Sequence, residues 1–132
     1  MSLDESNRSL IVKMEMDKAR NTLLEAETMV RFDMPSGGAG RLYYAVFHAV
    51  NALLVHDKIR IKSHKGAYTM FCLHYVNTGK VPREYGNRYR QLEVMREESD
   101  YNCFYEVTVT ELQQLIPLAK EMIDTIAELV KE

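Results

Sequence analysis

The 132-residue sequence has no tryptophan, three prolines and two cysteines. Cys72 and Cys103 lie in separate segments, without the Cys-x-x-Cys spacing of a redox or zinc motif, so we expect both to be buried free thiols. The four histidines also lack partner residues at metal-ligand spacing. The sequence therefore predicts no metal site and no cofactor.

Long uncharged apolar runs are missing as well. The most apolar stretch, GRLYYAVFHAVNALLVHDK at residues 40–58, is interrupted by Arg41, His48 and Asn51. It is too polar for a membrane span, which needs about 18 to 20 apolar residues. The N-terminus has no secretory leader pattern. We expect a cytoplasmic protein that makes no membrane contact.

Acidic residues are scarce over residues 60–96, and basic residues are scarce over residues 97–132. Residues 60–96 carry eight Lys or Arg and two Asp or Glu, whereas residues 97–132 carry two and nine. One interpretation is that the basic segment faces an anionic ligand such as RNA phosphate, while the acidic segment shields it or docks a basic partner. The other is that both are solvated helix faces that neutralise each other across the fold.

Apolar residues at helical spacing predict two helices in the N-terminal half, over residues 5–32 and 39–56. The segment DMPSGGAG at 33–40 contains Pro35 and three glycines and is predicted to be the loop between them. The second helix carries two adjacent apolar rows. We therefore expect it to be central and mostly buried.

The C-terminal half predicts three further helices. Ser63 is placed to cap the third, which ends at Gly79. The fourth spans about 82–98, and a Thr-x-x-Glu capping box at Thr108 opens the last, about 109–131.

These elements predict one domain over residues 1–132: an all-α, antiparallel, up-and-down four-helix bundle with a shorter fifth helix.

His74 lies on an apolar face and is interpreted as a core histidine. Arg96, Asp100 and Tyr101 are interpreted as a buried ion pair and hydrogen bond that hold the loop before the last helix.

Four polar residues of the second helix share one face. Arg41, Tyr44, His48 and Asn51 are spaced three, four and three residues apart, which aligns them at helical periodicity. Such a stripe suits metal-independent RNA cleavage: His48 would transfer protons, Arg41 would hold phosphate oxygens, and Tyr44 would position an oxygen or stack on a base. The alternative is that His48 and Tyr44 are packing residues and Arg41 reaches solvent from the start of the helix.

His64 and Lys65 begin the third helix, where the backbone amides of a helix N-terminus attract anions. They are candidates for binding a phosphate. The alternative is an ordinary cap by Ser63, with His64 exposed.

Three motifs carry a family resemblance. RLYYAVFHAVNALL, SHKGAYTMFCLHYVNTGKVP and MREESDY occur in this order and resemble the R-x-YYA-x-FHA, SHKG and R-x-x-SDY signatures of HEPN-domain proteins, in their small stand-alone prokaryotic branch. The resemblance covers roughly residues 10–130. It implies an all-α bundle that usually forms a homodimer.

The resemblance also implies a function. Many HEPN proteins are ribonucleases, often encoded beside a minimal nucleotidyltransferase that acts as antitoxin. Their active site is an Arg, four to six residues and a His, completed by the same motif of a second subunit. Arg41 and His48 satisfy that spacing here, with Tyr44 and Asn51 as supporting residues. The alternative is a non-catalytic HEPN bundle that binds a nucleotide or a nucleotidyltransferase partner.

Overall fold

The computed structural model describes residues 4–131. Within that range the chain forms five helices and no strand. They are α1 (Glu5–Arg31), α2 (Pro35–His56), α3 (His64–Phe71), α4 (Arg83–Tyr101) and α5 (Val109–Leu129). The predicted all-α bundle with one short helix is confirmed. Residues 1–3 and 132 of the expected domain lie outside the described range.

Helix α2 is the centre of the bundle. It packs against α1, α3, α4 and α5, and most extensively against α1. Its two apolar rows are enclosed on several sides, as predicted. Residues with at most 1% exposure are Ala39, Leu42, Tyr43, Ala45, Val46, Ala49, Val50, Ala52, Leu53 and Leu54. The polar side chains of α2 are therefore confined to the narrow face that its neighbouring helices leave uncovered.

The predicted loop over residues 33–40 is wrong, because α2 already begins at Pro35. Proline suits a first helical turn, where its missing N–H costs nothing. Gly38 is buried, and a Cβ there would lie 3.1 Å from the Leu112 side chain and 3.3 Å from that of Val30. The glycines thus let the start of α2 approach α1 and α5 closely.

Helix α3 begins where predicted. The Ser63 hydroxyl accepts a hydrogen bond from the backbone N–H of Gly66 at 3.0 Å. The chain then continues as a wider π-helical turn over Cys72–Val76. Gly79, at φ +78°, adopts the left-handed conformation that glycine tolerates best, and the helical segment stops before it.

Helix α4 runs to Tyr101, three residues beyond the predicted end. Because the helix continues, Arg96 and Asp100 meet one turn apart, at 3.4 Å, with the Asp100 side chain 47% exposed. Tyr101 is 82% exposed. The predicted pairing of Arg96 with Asp100 is confirmed, whereas the predicted burial of that pair and the role of Tyr101 in it are wrong.

Two smaller predictions about burial also need correction. Cys103 is exposed and Cys72 is half-buried, because Cys103 lies in the connection after α4. His74 is half-buried and so is not a core histidine, because in the π-helical turn it is the neighbouring Tyr75 that faces the core.

Helix α5 opens with the predicted capping box at Thr108 and supplies acidic partners to the basic residues of its neighbours. Arg88 of α4 lies 2.6 Å from Glu121, and Arg20 of α1 lies 2.5 Å from Asp124. For Arg88, in the basic segment, and Glu121, in the acidic one, the interpretation as mutually neutralising helix faces is confirmed. Among the described helices, none combines the length and the apolar character needed to cross a membrane.

Candidate functional site

The polar stripe of α2 borders α1. Tyr44, His48 and Asn51 are half-buried, and Arg41 is exposed. The helical spacing had predicted a shared face, and the structure shows that α1 contributes two glutamates to it, at positions 15 and 25.

His48 is paired with Glu15. The Nδ1 atom of His48 lies 2.9 Å from the Glu15 carboxylate. The hydrogen bond from His48 lowers the pKa of Glu15 below its usual value, against the opposing effect of burial, and a hydrogen bond from Asn51 adds to the lowering. A charged carboxylate accepts the proton on Nδ1, which leaves Nε2 of the imidazole to interact with other groups.

The imidazole is accessible. The His48 side chain is 16% exposed and that of Glu15 is 22% exposed. The ring is therefore oriented by a carboxylate and is partly exposed rather than enclosed in the core.

Arg41 contacts a different part of α1. Its guanidinium lies 3.7 Å from the Glu25 carboxylate, and the two side chains are 49% and 57% exposed. Arg41 and His48 are two turns apart, about 10.5 Å along the helix axis. Arg41 is a solvent-facing cation that can exchange Glu25 for another anion, because exposed ion pairs contribute little free energy.

The structure brings His64 into the same site. Its ring stacks on Phe47, with centroids 4.1 Å apart, and meets Tyr44 edge to face at 5.7 Å. The His48 ring lies 5.4 Å from Phe47 and 6.5 Å from Tyr44. Both imidazoles therefore border the same pair of aromatic rings, although the sequence had suggested two separate sites.

Arg96 of α4 completes this group. Its guanidinium lies over the rings of Tyr43 and Tyr44, 5.0 Å and 5.7 Å from their centroids. Its side chain is 16% exposed, and its Nε atom is buried without a hydrogen-bond partner among the described residues. Asp100 is its ion-pair partner, at 3.4 Å. The site thus contains a partly desolvated cation held by aromatic faces.

A surface cavity of about 510 Å³ opens between α3 and α4, next to this group. His64, Lys65, Arg90 and Arg96 line it. Its acidic lining includes Glu93, which is 5% exposed and bonded to Arg90. The volume lies in the range typical of small-molecule sites, and His64 and Arg96 connect the cavity to the stripe.

Sequence reasoning identified the residues that the site draws from α2 and the start of α3: Arg41, Tyr44, His48, Asn51, His64 and Lys65. It missed Glu15 and Glu25, and it interpreted Arg96 as structural. The only available signal for Glu15 was its position as a charged residue beside the apolar stripe of α1, which is common on amphipathic helices.

The fold and site together define an all-α bundle whose central helix carries an Arg and a His on one partly exposed face. This face, formed by Arg41, Tyr44, His48 and Asn51, is called the seam. The HEPN domain family matches residues 12–129 of the sequence. The chain therefore belongs to the HEPN family, as the three motifs had suggested.

Curated relatives agree with this assignment. The chain is 27% identical over 127 residues to a UPF0332 protein of Thermotoga maritima, covering 96% of each chain. It is 30% identical over 114 residues to a protein of Methanocaldococcus jannaschii named "Putative toxin MJ0605", covering 86% of this chain and 84% of that one. A second protein of that organism, named "Putative toxin MJ0142", is 26% identical over 101 residues, covering 76% and 69%.

Proposed function

We propose that this HEPN protein is a toxin-like, metal-independent endoribonuclease whose proton-transfer residue is His48. The observation that carries the proposal is the accessible His48 imidazole, oriented by the Glu15 carboxylate on the same face as Arg41. Relatives named as toxins support the toxin-like part of the proposal.

Arg41 is the phosphate-binding residue in this proposal. A guanidinium stays charged and offers paired donors to phosphate oxygens. Because Arg41 is two turns from His48 and half-exposed, we propose that a second copy of the chain faces the seam and that the site forms within a homodimer. Tyr44 and Asn51 position the substrate and Glu15, respectively.

We further propose that a minimal nucleotidyltransferase is the antitoxin partner. This part of the proposal rests on what is typical of the family's stand-alone branch. Coexpression of the HEPN chain with the neighbouring reading frame, followed by affinity purification of either one, tests it. Recovery of the HEPN chain alone would argue against a stable pair.

Incubation of the purified full chain with a mixed-sequence RNA tests the ribonuclease proposal. We expect cleavage by the wild type and losses of about 100-fold or more in His48→Ala, a size typical of removing an acid or base. Arg41→Ala should lose activity as well. His74→Ala and Arg31→Ala are matched controls, since both lie outside the seam, and both should cleave like the wild type.

Equal cleavage by all variants would indicate a contaminating nuclease and would contradict the proposal. If no variant cleaves RNA, the alternative gains support: a non-catalytic HEPN bundle that binds a nucleotide or a nucleotidyltransferase. The cavity lined by His64, Lys65, Arg90 and Arg96 is the observation that favours nucleotide binding in that case.

A further inference from the structure

We propose that His64 and Arg96 complete the active site from within the same protomer, with His64 as the base that activates the RNA 2′-hydroxyl and Arg96 as a second phosphate-binding cation. The proposal rests on the ribonuclease function proposed above. It adds two residues from α3 and α4 to the Arg and His of α2.

Shared aromatic contacts place the two histidines at one site. Both imidazoles border Tyr44 and Phe47, and His64 stacks on Phe47 at 4.1 Å. His64 is exposed, so a bound molecule can reach its free face. Cleavage by an internal 2′-oxygen needs one group to accept a proton and another to donate one, and two imidazoles beside one tyrosine meet that need.

Arg96 places a positive charge between the two histidines and the cavity. Its guanidinium contacts the Tyr44 ring and also lines the cavity of about 510 Å³ that His64 borders. Only 16% of its side chain is exposed, and its ion pair with Asp100 is long at 3.4 Å. A cation in such partial desolvation attracts an anion more strongly than one in bulk water. Lys65 and Arg90 also line the cavity, together with Glu97 and with Glu93, which pairs with Arg90.

The surroundings of His64 favour its role as base. Its pKa is lowered first by partial desolvation of the ring, which is covered on one face by Phe47, then by the positive charge of Arg96 and by His48, and Glu93 acts in the opposite direction. Lys65 is its neighbour on α3. These effects favour the neutral form of the ring, which is the form that can accept a proton. His48 has different surroundings, because the Glu15 carboxylate on α1 lies 2.9 Å from its Nδ1 atom.

In each half of the proposed homodimer, the proton transfers of the chemical step then balance between the two histidines of one protomer. Neutral His64 removes the proton of the 2′-hydroxyl, and the 2′-oxygen forms a bond to phosphorus. The bond from phosphorus to the 5′-oxygen breaks, and that oxygen takes a proton from Nε2 of protonated His48. The products are a 2′,3′-cyclic phosphate end and a 5′-hydroxyl end. Exchange of protons with water returns both histidines to their starting states.

The decisive experiment compares two RNA substrates. One is a short oligoribonucleotide, and the other is the same RNA with sulfur in place of the 5′-bridging oxygen at one linkage. The thiolate that leaves from this linkage needs no proton donor. We expect His64→Ala to lower the rate at saturating normal RNA by about 100-fold or more. His48→Ala should recover most of its rate on the sulfur-bridged RNA, whereas His64→Ala should not. His74→Ala is the matched control.

Arg96 is tested by Arg96→Lys, which keeps the charge, and by Arg96→Gln, which removes it. We expect Arg96→Gln to raise KM for RNA at least 10-fold and Arg96→Lys to be intermediate. Arg83→Gln is the control, because Arg83 is exposed at the opposite end of α4. Circular dichroism melting verifies that each variant is folded, and His64→Asn replaces His64→Ala if the alanine variant melts early.

The outcomes separate the two proposals. A wild-type chain that cleaves no RNA overturns the ribonuclease proposal and this one with it. Cleavage that is lost in His48→Ala but unchanged in His64→Ala overturns only the role of His64. Recovery of His64→Ala on the sulfur-bridged RNA would make it a proton donor and would likewise contradict its assignment as base.

Discussion

The imidazole of His48 on α2 lies 2.9 Å from the carboxylate of Glu15 on α1. The two residues are 33 positions apart in the sequence. This contact orients the one histidine that the Arg-x6-His spacing identifies, and it links the position of a catalytic candidate to the packing of the two longest helices.

Glu15→Gln should reduce RNA cleavage without unfolding the protein. An amide oxygen can still accept the Nδ1 hydrogen bond, but it no longer stabilises a positive imidazole. We expect the rate at saturating RNA to fall about 10-fold or more, by analogy with other carboxylates that orient an active histidine. Asp17→Asn, an exposed substitution on the same helix, should leave the rate unchanged.

The same pair predicts a pH dependence of stability. The pKa of Glu15 in the folded protein lies below its usual value of 4.5, chiefly because His48 donates a hydrogen bond to it. The pair therefore stabilises the fold above about pH 4.5 and loses that contribution as the pH falls through the folded pKa. Urea unfolding at pH 6 and pH 3 should show a larger loss for the wild type than for Glu15→Gln. Equal losses would contradict this prediction.

Arg41→Ala should change the free energy of unfolding by no more than about 0.5 kcal/mol, because exposed ion pairs contribute little. Its partner Glu25 is 57% exposed. Urea unfolding at pH 7 measures the effect. A loss of more than about 2 kcal/mol would show that Arg41 is a packing residue, and any loss of cleavage could then not be assigned to chemistry.

Two buried tyrosines should respond in opposite ways to loss of the hydroxyl. Tyr89 is fully buried, and its hydroxyl has no hydrogen-bond partner among the described residues. Tyr89→Phe should therefore be neutral or stabilise the protein by up to about 1 kcal/mol. Tyr75 donates a hydrogen bond to Asp57 at 2.6 Å, so Tyr75→Phe should cost about 1.5 to 3 kcal/mol. Thermal melting of both variants compares them directly, and the reverse order would contradict the assignment.

Two glycines of α2 form a similar pair. A Cβ at Gly38 would press on Leu112 and Val30 at 3.1 and 3.3 Å, so Gly38→Ala should destabilise the protein by about 1 to 3 kcal/mol. A Cβ at Gly40 would meet only Arg96, at 4.0 Å. Gly40→Ala should stabilise the helix by about 0.5 to 1 kcal/mol. Chemical denaturation measures both, and a destabilised Gly40→Ala would show that the backbone there is constrained.

Local patterns in the sequence were sufficient for much of the fold. Apolar spacing located the helices, the Ser63 and Thr108 caps marked two of their starts, and the two apolar rows identified α2 as central. The errors came where tertiary contacts overrule local preference. In isolation Gly38 indicates a loop. In the structure it lies in α2, and glycine is needed there because α1 and α5 leave little room for a side chain.

The sequence by itself determined that Arg41, Tyr44, His48 and Asn51 share a helix face, because a 3.6-residue period aligns them wherever that helix lies. Only the tertiary structure decided what that face meets. Packing of α1 beside α2 supplied Glu15, and the start of α3 and the end of α4 brought His64 and Arg96 to Tyr44. Periodicity acts within one helix, whereas these contacts depend on how the buried faces of several helices fit together.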